Sequence, residues 1–186
     1  MKVAIYSRGL EQEQEGQLHT LLSELDKQGF SVMIYQPLAE KLHINNIEMF
    51  TSAEDLHPSL DCIISLGGDG TLLDTVTYVH DKNIPVLGIN FGRLGFLASI
   101  GREELVSAVD ALANRTYLVD KRTLMHLDAS IPLFGNASYA LNEFAIHKRD
   151  TSSMIKIHTY LNGEFLKSYW ADGLVVSTPK IGRAHV

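Results

Sequence analysis

Asp61-Cys62-Ile63-Ile64-Ser65-Leu66-Gly67-Gly68-Asp69-Gly70-Thr71 is the stretch on which the fold turns. Its first six residues are short, apolar and rich in isoleucine, and they read as a buried strand. The strand runs into a turn of three glycines around one aspartate, and a helical stretch follows from Thr71 to about His80. Working outward, Ile84–Ile89 is the next strand, and Asn90–Gly95 is a second glycine-punctuated loop. Glu103–Ala113 is a helix with Leu105, Val109 and Leu112 on one face. Upstream, Val3-Ala4-Ile5-Tyr6 is a strand bounded by Ser7-Arg8-Gly9. Leu18, Leu21, Leu22 and Leu25 fall at i, i+3, i+4 and i+7, one face of a helix, with Gly29 as its C-terminal stop. Phe30–Tyr35 is a strand that ends before Pro37. Residues 38–60 carry no usable pattern and stay unassigned.

Strands alternating with helices imply a mostly parallel sheet in a layered α/β domain. Ligands in such sheets bind outside the carboxyl ends of the strands. Both glycine loops, 67–70 and 90–95, follow predicted strands at that end. After about residue 115 the pattern changes. Tyr117–Ile131, Ala137–His147 and Ile155–Tyr169 look strand-rich. Ile155, Ile157, Thr159 and Leu161 alternate with Lys156, His158 and Tyr160, as in a half-exposed strand. Asn162-Gly163 then supplies a hairpin turn whose two residues need positive φ. The expected organisation is an α/β domain over 1–117 followed by the start of an all-β domain over 118–179.

The chain has 186 residues, 45% hydrophobic and 20% charged, with 16 Lys and Arg against 22 Asp and Glu, a net charge of −6. That length suffices for a sizeable core, and the acidity disfavours nucleic acid as a general partner. No apolar run exceeds four residues, against about 20 for a membrane helix, and the N-terminus lacks the features of a signal peptide. The single cysteine, Cys62, allows no disulfide framework and no cysteine metal site. The expected setting is a reducing one, the cytoplasm, with no membrane partner.

Gly67-Gly68-Asp69-Gly70-Thr71 carries the chemistry. Glycines let backbone approach an anion closely, and the following helix N-terminus adds N–H groups and partial positive charge. The loop is neither a P-loop nor a dinucleotide fingerprint. A carboxylate inside a phosphate cradle repels the ligand unless it takes a proton from an attacking hydroxyl or helps hold Mg²⁺. Both jobs belong to phosphoryl transfer. The alternative is a tight turn in which Asp69 only caps its helix.

The sequence resembles the NAD kinase family. Gly67–Thr71 looks like its Gly-Gly-Asp-Gly motif, and Leu87-Gly88-Ile89-Asn90-Phe91-Gly92-Arg93-Leu94-Gly95-Phe96-Leu97 like its second signature. Leu141-Asn142-Glu143 and Trp170–Pro179 resemble its Asn-Glu pair and the lead-in to its third glycine-rich motif. The first motif is shared with lipid kinases and nearly with a sugar kinase; the second separates them. The resemblance implies ATP and NAD as substrates, a divalent cation such as Mg²⁺ as ATP's counter-ion, and NADP as product. It makes Asp69 the general base, and has Gly67, Gly68 and Gly70 offer N–H groups to phosphate. It gives Asn142 and Glu143 the adenosine of NAD, Asp172 its second half, and Asn90, Phe91 and Gly92 the lining of the dinucleotide site. It also implies a homo-oligomer.

Each assignment has a plainer counterpart. Asn142 and Glu143 read equally as an exposed strand face, Phe91 and Phe96 as core, and Asp172-Gly173 as a turn. Cys62 reads as packing and His147-Lys148-Arg149 as a solvated loop. His126, His147 and His158 lack metal-ligand spacing, so no protein metal site is expected. After Pro179 the family continues with a Thr-Gly-Ser-Thr-Ala-Tyr run, whereas Lys180–Val186 departs from it and reads as a non-native tail on a truncated chain. The expectation is little or no kinase activity and a tendency to aggregate when this chain is expressed alone. A non-catalytic nucleotide-binding fragment and a lipid or sugar kinase relative are the alternatives.

Overall fold

The computed structural model describes residues 1–92, 95–131, 133–134, 138–149 and 152–179. The expected tail over 180–186 lies outside the described residues, as do Arg93 and Leu94 of the second signature. The chain divides into two units, Met1–Lys121 with Ala129–Tyr139, and Arg122–Asp128 with Ala140–Val186.

The first unit is α/β. In chain order it contains β1 (Lys2–Tyr6), α1 (Glu15–Lys27), β2 (Ser31–Tyr35), α2 (Gln36–Lys41), β3 (Glu48–Phe50), β4 (Cys62–Leu66), α3 (Asp69–Val79), β5 (Val86–Asn90), β6 (Ile100–Gly101) and α4 (Leu105–Ala113). The six strands form one sheet in the order β3-β2-β1-β4-β5-β6, every pair parallel. Chain direction across the sheet reverses between β1 and β4. Val3 pairs with Cys62 and Ile5 with Ile64, so the centre of the sheet is apolar on both faces. One face buries Val3, Ile5, Ile64 and Leu66 against Leu18, Leu21 and Leu25 of α1 and Leu105, Val109 and Leu112 of α4. The other buries Ala4, Tyr6, Met33 and Ile63 with Phe50, Val79 and Ile84. The alternation follows from the two-residue period of a strand, and each buried Leu or Ile contributes about 1.5–3 kcal/mol.

The leucine spacing and Gly29 do what the sequence predicts. Gly29 adopts φ +70, its N–H donates to the Asp26 carbonyl, and the Phe30 N–H donates to Leu25 at 2.9 Å. This is a Schellman ending, with Phe30 and Leu25 both in the core. The unassigned stretch contains α2 and β3. Pro37 sits in the first turn of α2, where its fixed φ starts a helix directly after β2. The helix after the first glycine loop begins at Asp69, two residues earlier than the sequence suggests.

The β-rich segment expected from Tyr117 to Ile131 is mostly without regular structure. Its only strand is β7 (Met125–His126), and Leu118 is fully exposed. β8 (Tyr139–Ala140) is equally short. Aromatic and branched residues favour strands only where a sheet surface receives them. The second unit holds β9 (Glu143–His147), β10 (Ile155–Leu161), β11 (Glu164–Ala171) and β12 (Gly173–Ser177). β10 and β11 form an antiparallel hairpin through Asn162 (φ 52) and Gly163 (φ 85), the primed turn the dipeptide predicts. The alternation of β10 holds to Thr159; a register shift follows and Leu161 is exposed. β9 and β12 pair antiparallel, Glu143 opposite Ser177 and His147 opposite Gly173. Tyr160, Phe165, Trp170, Val175 and Val176 are exposed in this unit. Among the described residues no helix is long and apolar enough to cross a membrane.

Candidate functional site

Two loops leave the carboxyl ends of β4 and β5 and are joined by one side chain. Asp69 opens α3, yet its carboxylate does not cap that helix; Gly68 is the N-cap and no side-chain cap bond is made. The carboxylate turns to the loop after β5 instead. Oδ2 accepts from the Phe96 N–H at 2.9 Å, and Oδ1 from Leu97 at 2.9 Å and Ala98 at 3.0 Å. Gly95 makes this possible. A Cβ there would lie 2.7 Å from Asp69 Cγ, inside any tolerable contact. Burial works against the Asp69 charge, and the N–H bonds from Ala98, Phe96 and Leu97 outweigh it, holding the carboxyl below its usual value.

The first loop is shaped by equally close approaches. Gly67 has φ +145, and a Cβ on it would lie 2.9 Å from Thr71 Cβ. Its N–H donates to the Ile89 carbonyl at 3.0 Å, so this glycine ties the two loops together and has no N–H left for a ligand. Thr71 and Leu72 both donate to the Gly68 carbonyl. The N–H groups of Gly68, Asp69 and Gly70 find no acceptor among the described residues. Three unpaired donors at a helix N-terminus are a ready anion cradle. Gly88 of β5 completes the packing beneath: a Cβ there would sit 2.7 Å from Leu72 Cδ1 and 2.9 Å from Ala98 Cα.

The remaining residues of the second signature divide. Asn90 is buried, its Oδ1 accepts from the Gly92 N–H at 2.9 Å, and its Nδ2 lies 3.9 Å from the Cβ position of Gly68. It therefore braces both loops. Phe91 is only 6% exposed and packs in the core with Ile89 and Leu105; its apolar contact is made within the protein. Phe96, expected in the core, is 71% exposed beside the Asp69 carboxylate it hydrogen-bonds. Cys62 is buried, which pushes its thiol up to about 12, far from nucleophilic.

In the second unit, Asn142 and Glu143 stand at one end of the β9–β12 ladder. The Thr178 N–H donates to the Asn142 carbonyl at 2.9 Å and its hydroxyl to Leu141 at 3.1 Å, while Glu143 is exposed. Asp172 stands at the other end. Its carbonyl accepts from the Lys148 N–H at 2.8 Å, and its carboxylate pairs with Lys148 Nζ at 2.7 Å. The five residue pairs of the ladder span four steps, about 14 Å of strand at about 3.4 Å per residue. Asp172-Gly173 is thus more than a plain turn, and Lys148 belongs to an ion pair as well as to a loop. A Cβ at Gly173 would crowd His147 Nδ1 at 3.1 Å.

Among the described residues no three His, Cys, Asp or Glu side chains gather as a metal site.

Sequence reasoning passed over Arg8, in the loop after β1. Its guanidinium grips the Asp74 carboxylate through Nε and through Nη2, at 2.6 Å, and lies against Gly70. Asp74 is 66 residues away in sequence, so no local pattern signals the pair.

Residues 11–117 match the family profile of the ATP-NAD kinase N-terminal domain, and residues 141–186 that of the C-terminal domain. The chain is 45% identical over 185 residues to an NAD kinase of Cytophaga hutchinsonii, covering 96% of this chain and 63% of that protein. It is 38% identical over 183 residues to an NAD kinase of Bacteroides fragilis, with the same coverage. It therefore spans a little under two thirds of the curated relatives it matches. The fold is similar to that of yeast NADH kinase complexed with NADH, with a TM-score of 0.78 at 21% identity, covering 96% of this chain and 57% of that one. An NAD kinase of Archaeoglobus fulgidus in complex with ATP superposes with a TM-score of 0.66 at 22% identity, covering 95% and 60%.

Proposed function

The chain belongs to the NAD kinase family, and on that footing we propose that it serves the transfer of the γ-phosphoryl group of ATP to the 2′-hydroxyl of the adenosine ribose of NAD, giving NADP and ADP. The observation that carries this reading is the junction of the two glycine loops through Asp69, with three N–H donors left free beside an ionised carboxylate. The N–H groups of Gly68, Asp69 and Gly70 hold donor phosphate oxygens. A carboxylate offers about four acceptor positions; three are occupied, and the fourth takes the proton of the ribose hydroxyl. The bond from that oxygen to phosphorus forms as the bond to the ADP oxygen breaks. In a loose transition state the base is needed late, and positioning supplies most of the rate. A carboxyl with a lowered pKa suits that order, since it stays ionised until the hydroxyl becomes acidic.

Asn142 and Glu143 hydrogen-bond the adenosine of NAD and Asp172 its other half. Asn90 and Gly92 shape the dinucleotide site as backbone braces. A divalent cation, when bound with the donor, would supply charge neutralisation at its phosphates. The buried single cysteine and the net charge of −6 support a reducing, cytoplasmic setting and small-molecule nucleotide partners, not nucleic acid or membrane. A homo-oligomer follows from the family resemblance.

The test is coupled detection of NADP by a protein carrying this chain at the length of its relatives, beside its Asp69→Asn variant. The variant is expected to lose turnover by at least 10²-fold while binding NAD within a fewfold of the parent. Unchanged turnover removes Asp69 from the base role, and phosphorylation of a sugar or lipid in place of NAD overturns the substrate.

A further inference from the structure

We propose that Arg8 binds the polyphosphate chain of the phosphoryl donor, a function that rests on the reading above and adds a cation to a cradle otherwise made of backbone. The sheet order puts β1 next to β4 at the place where the chain reverses direction, the crevice where open α/β sheets take ligands. Ser7-Arg8-Gly9 leaves the carboxyl end of β1 and Gly67–Gly70 that of β4, so the two loops flank one crevice. Arg8 reaches across it: Nη1 is 3.5 Å from the Cβ position of Gly70.

The side chain is fixed in that reach. Nε and Nη2 take the two oxygens of Asp74 on α3, and the Tyr6 hydroxyl donates to the same carboxylate at 3.3 Å. The third nitrogen, Nη1, makes no hydrogen bond among the described residues, and the side chain is 62% exposed. A guanidinium held along one edge by a carboxylate presents its free edge with little rotamer entropy left to lose. Beside it are the N–H groups of Gly68, Asp69 and Gly70, also without acceptors. A phosphate oxygen satisfies both sets at once, and guanidinium–phosphate bonds are among the stronger hydrogen bonds. An exposed ion pair by itself adds little stability, so tethering the loop is a weak account of the arrangement. In a chain of net charge −6, a cation at the crevice also offsets the repulsion between a polyanion and the carboxylates of Asp69 and Asp74.

The test is calorimetric titration of a protein carrying this chain at the length of its relatives with inorganic tripolyphosphate, ATP and AMP, as parent, Arg8→Ala, Arg8→Lys and Asp74→Asn. Arg8→Ala is expected to weaken tripolyphosphate and ATP by tenfold or more, leave AMP within twofold, and flatten the salt dependence of tripolyphosphate binding. Arg8→Lys keeps the charge without the fork and falls between. Asp74→Asn loosens the guanidinium and weakens binding severalfold. A purely structural pair would shift melting temperatures and leave these affinities and the salt slope alone. Equal tripolyphosphate affinity in parent and Arg8→Ala overturns the proposal, and so does a parent that binds no tripolyphosphate. Weakening of ATP alone makes Arg8 a nucleoside contact and overturns it too. If Arg8→Ala does not fold, Arg8→Lys and Asp74→Asn decide by the same readings. NADP formation is not read here, so a protein of the relatives' length that binds tripolyphosphate through Arg8 and makes no NADP refutes the proposed function alone.

Discussion

Replacing Gly95 by alanine is the most direct probe of how the two glycine loops are joined. The cost of alanine there is read from the contact its methyl would make. Its methyl would lie 2.7 Å from Asp69 Cγ and 3.0 Å from Oδ2. The carboxylate must swing away or the loop must move, and either motion pulls acceptors from the N–H groups of Phe96, Leu97 and Ala98. Hydrogen bonds to a charged group contribute about 1.5–3 kcal/mol each. The loop is partly exposed and water takes up what is lost, so the lower figure applies; losing two of the three bonds costs about 3 kcal/mol. That is a large part of an ordinary stability of about 5–15 kcal/mol. At about 2–4 °C per kcal/mol for a chain of this size, the melting temperature falls by about 6–12 °C. Circular dichroism melts of parent, Gly95→Ala, Asp69→Ala and the double variant form a cycle. Without the carboxylate the methyl meets little, so the coupling should reach about 2–3 kcal/mol. A cost for Gly95→Ala under about 0.5 kcal/mol, or simple additivity with Asp69→Ala, refutes the clash and the junction it implies.

Cys62 is buried with its thiol raised to about 12, so a disulfide reagent should label the folded chain at least about 10³-fold more slowly than the unfolded one, in step with global opening; fast labelling of folded protein would place Cys62 outside the core. The N–H groups of Thr51 and Ser52 and the Thr51 hydroxyl draw the Asp55 carboxyl down to about 2, against about 3.9 unfolded. Because the folded value is the lower one, its contribution is complete above about pH 4 and disappears as pH falls through about 2. A nuclear magnetic resonance titration should find that midpoint, and one near 4 would show that the turn does not hold the carboxylate.

Much of this architecture is legible one element at a time. The four leucines of α1, the isoleucines of β4 and the Asn162-Gly163 turn each state a local geometry, and the structure repeats it. Short edge elements are less visible: β3 has three residues and β6 two, below the length at which periodicity means anything. The stretch after Tyr117 misleads in the opposite sense, since its valine, leucine and tyrosine carry strand propensity with no sheet surface to receive them. The site is legible by type of residue and not by pairing. Asp69 lies 27 to 29 residues from the amides it accepts from, and Arg8 lies 66 residues from Asp74. No window of sequence contains either pair, because each forms only when parallel strands bring their carboxyl ends side by side. The same closure sorts the two phenylalanines of the second signature. Phe91 follows β5 into the core, and Phe96 is held outside by the amide that binds Asp69.

The division of backbone donors between the loops explains how a carboxylate can sit inside the proposed phosphate cradle. Phe96, Leu97 and Ala98 spend their N–H groups on Asp69 and offset its charge, while Gly68, Asp69 and Gly70 keep theirs. On the proposed reading neither set alone would do: without the first, the carboxylate would repel the donor; without the second, no backbone N–H would meet it. This division also governs what an asparagine at position 69 can report. Its single carbonyl oxygen can keep the bonds from Leu97 and Ala98, which share Oδ1, but its amide would face the Phe96 N–H donor to donor. One bond of three is lost, so Asp69→Asn should cost about half of what Gly95→Ala costs and leave the loops joined. Loss of turnover in that variant then reports the missing proton acceptor. A melting temperature as low as that of Gly95→Ala would mean instead that the junction had opened, and the kinetic result would say nothing about a base.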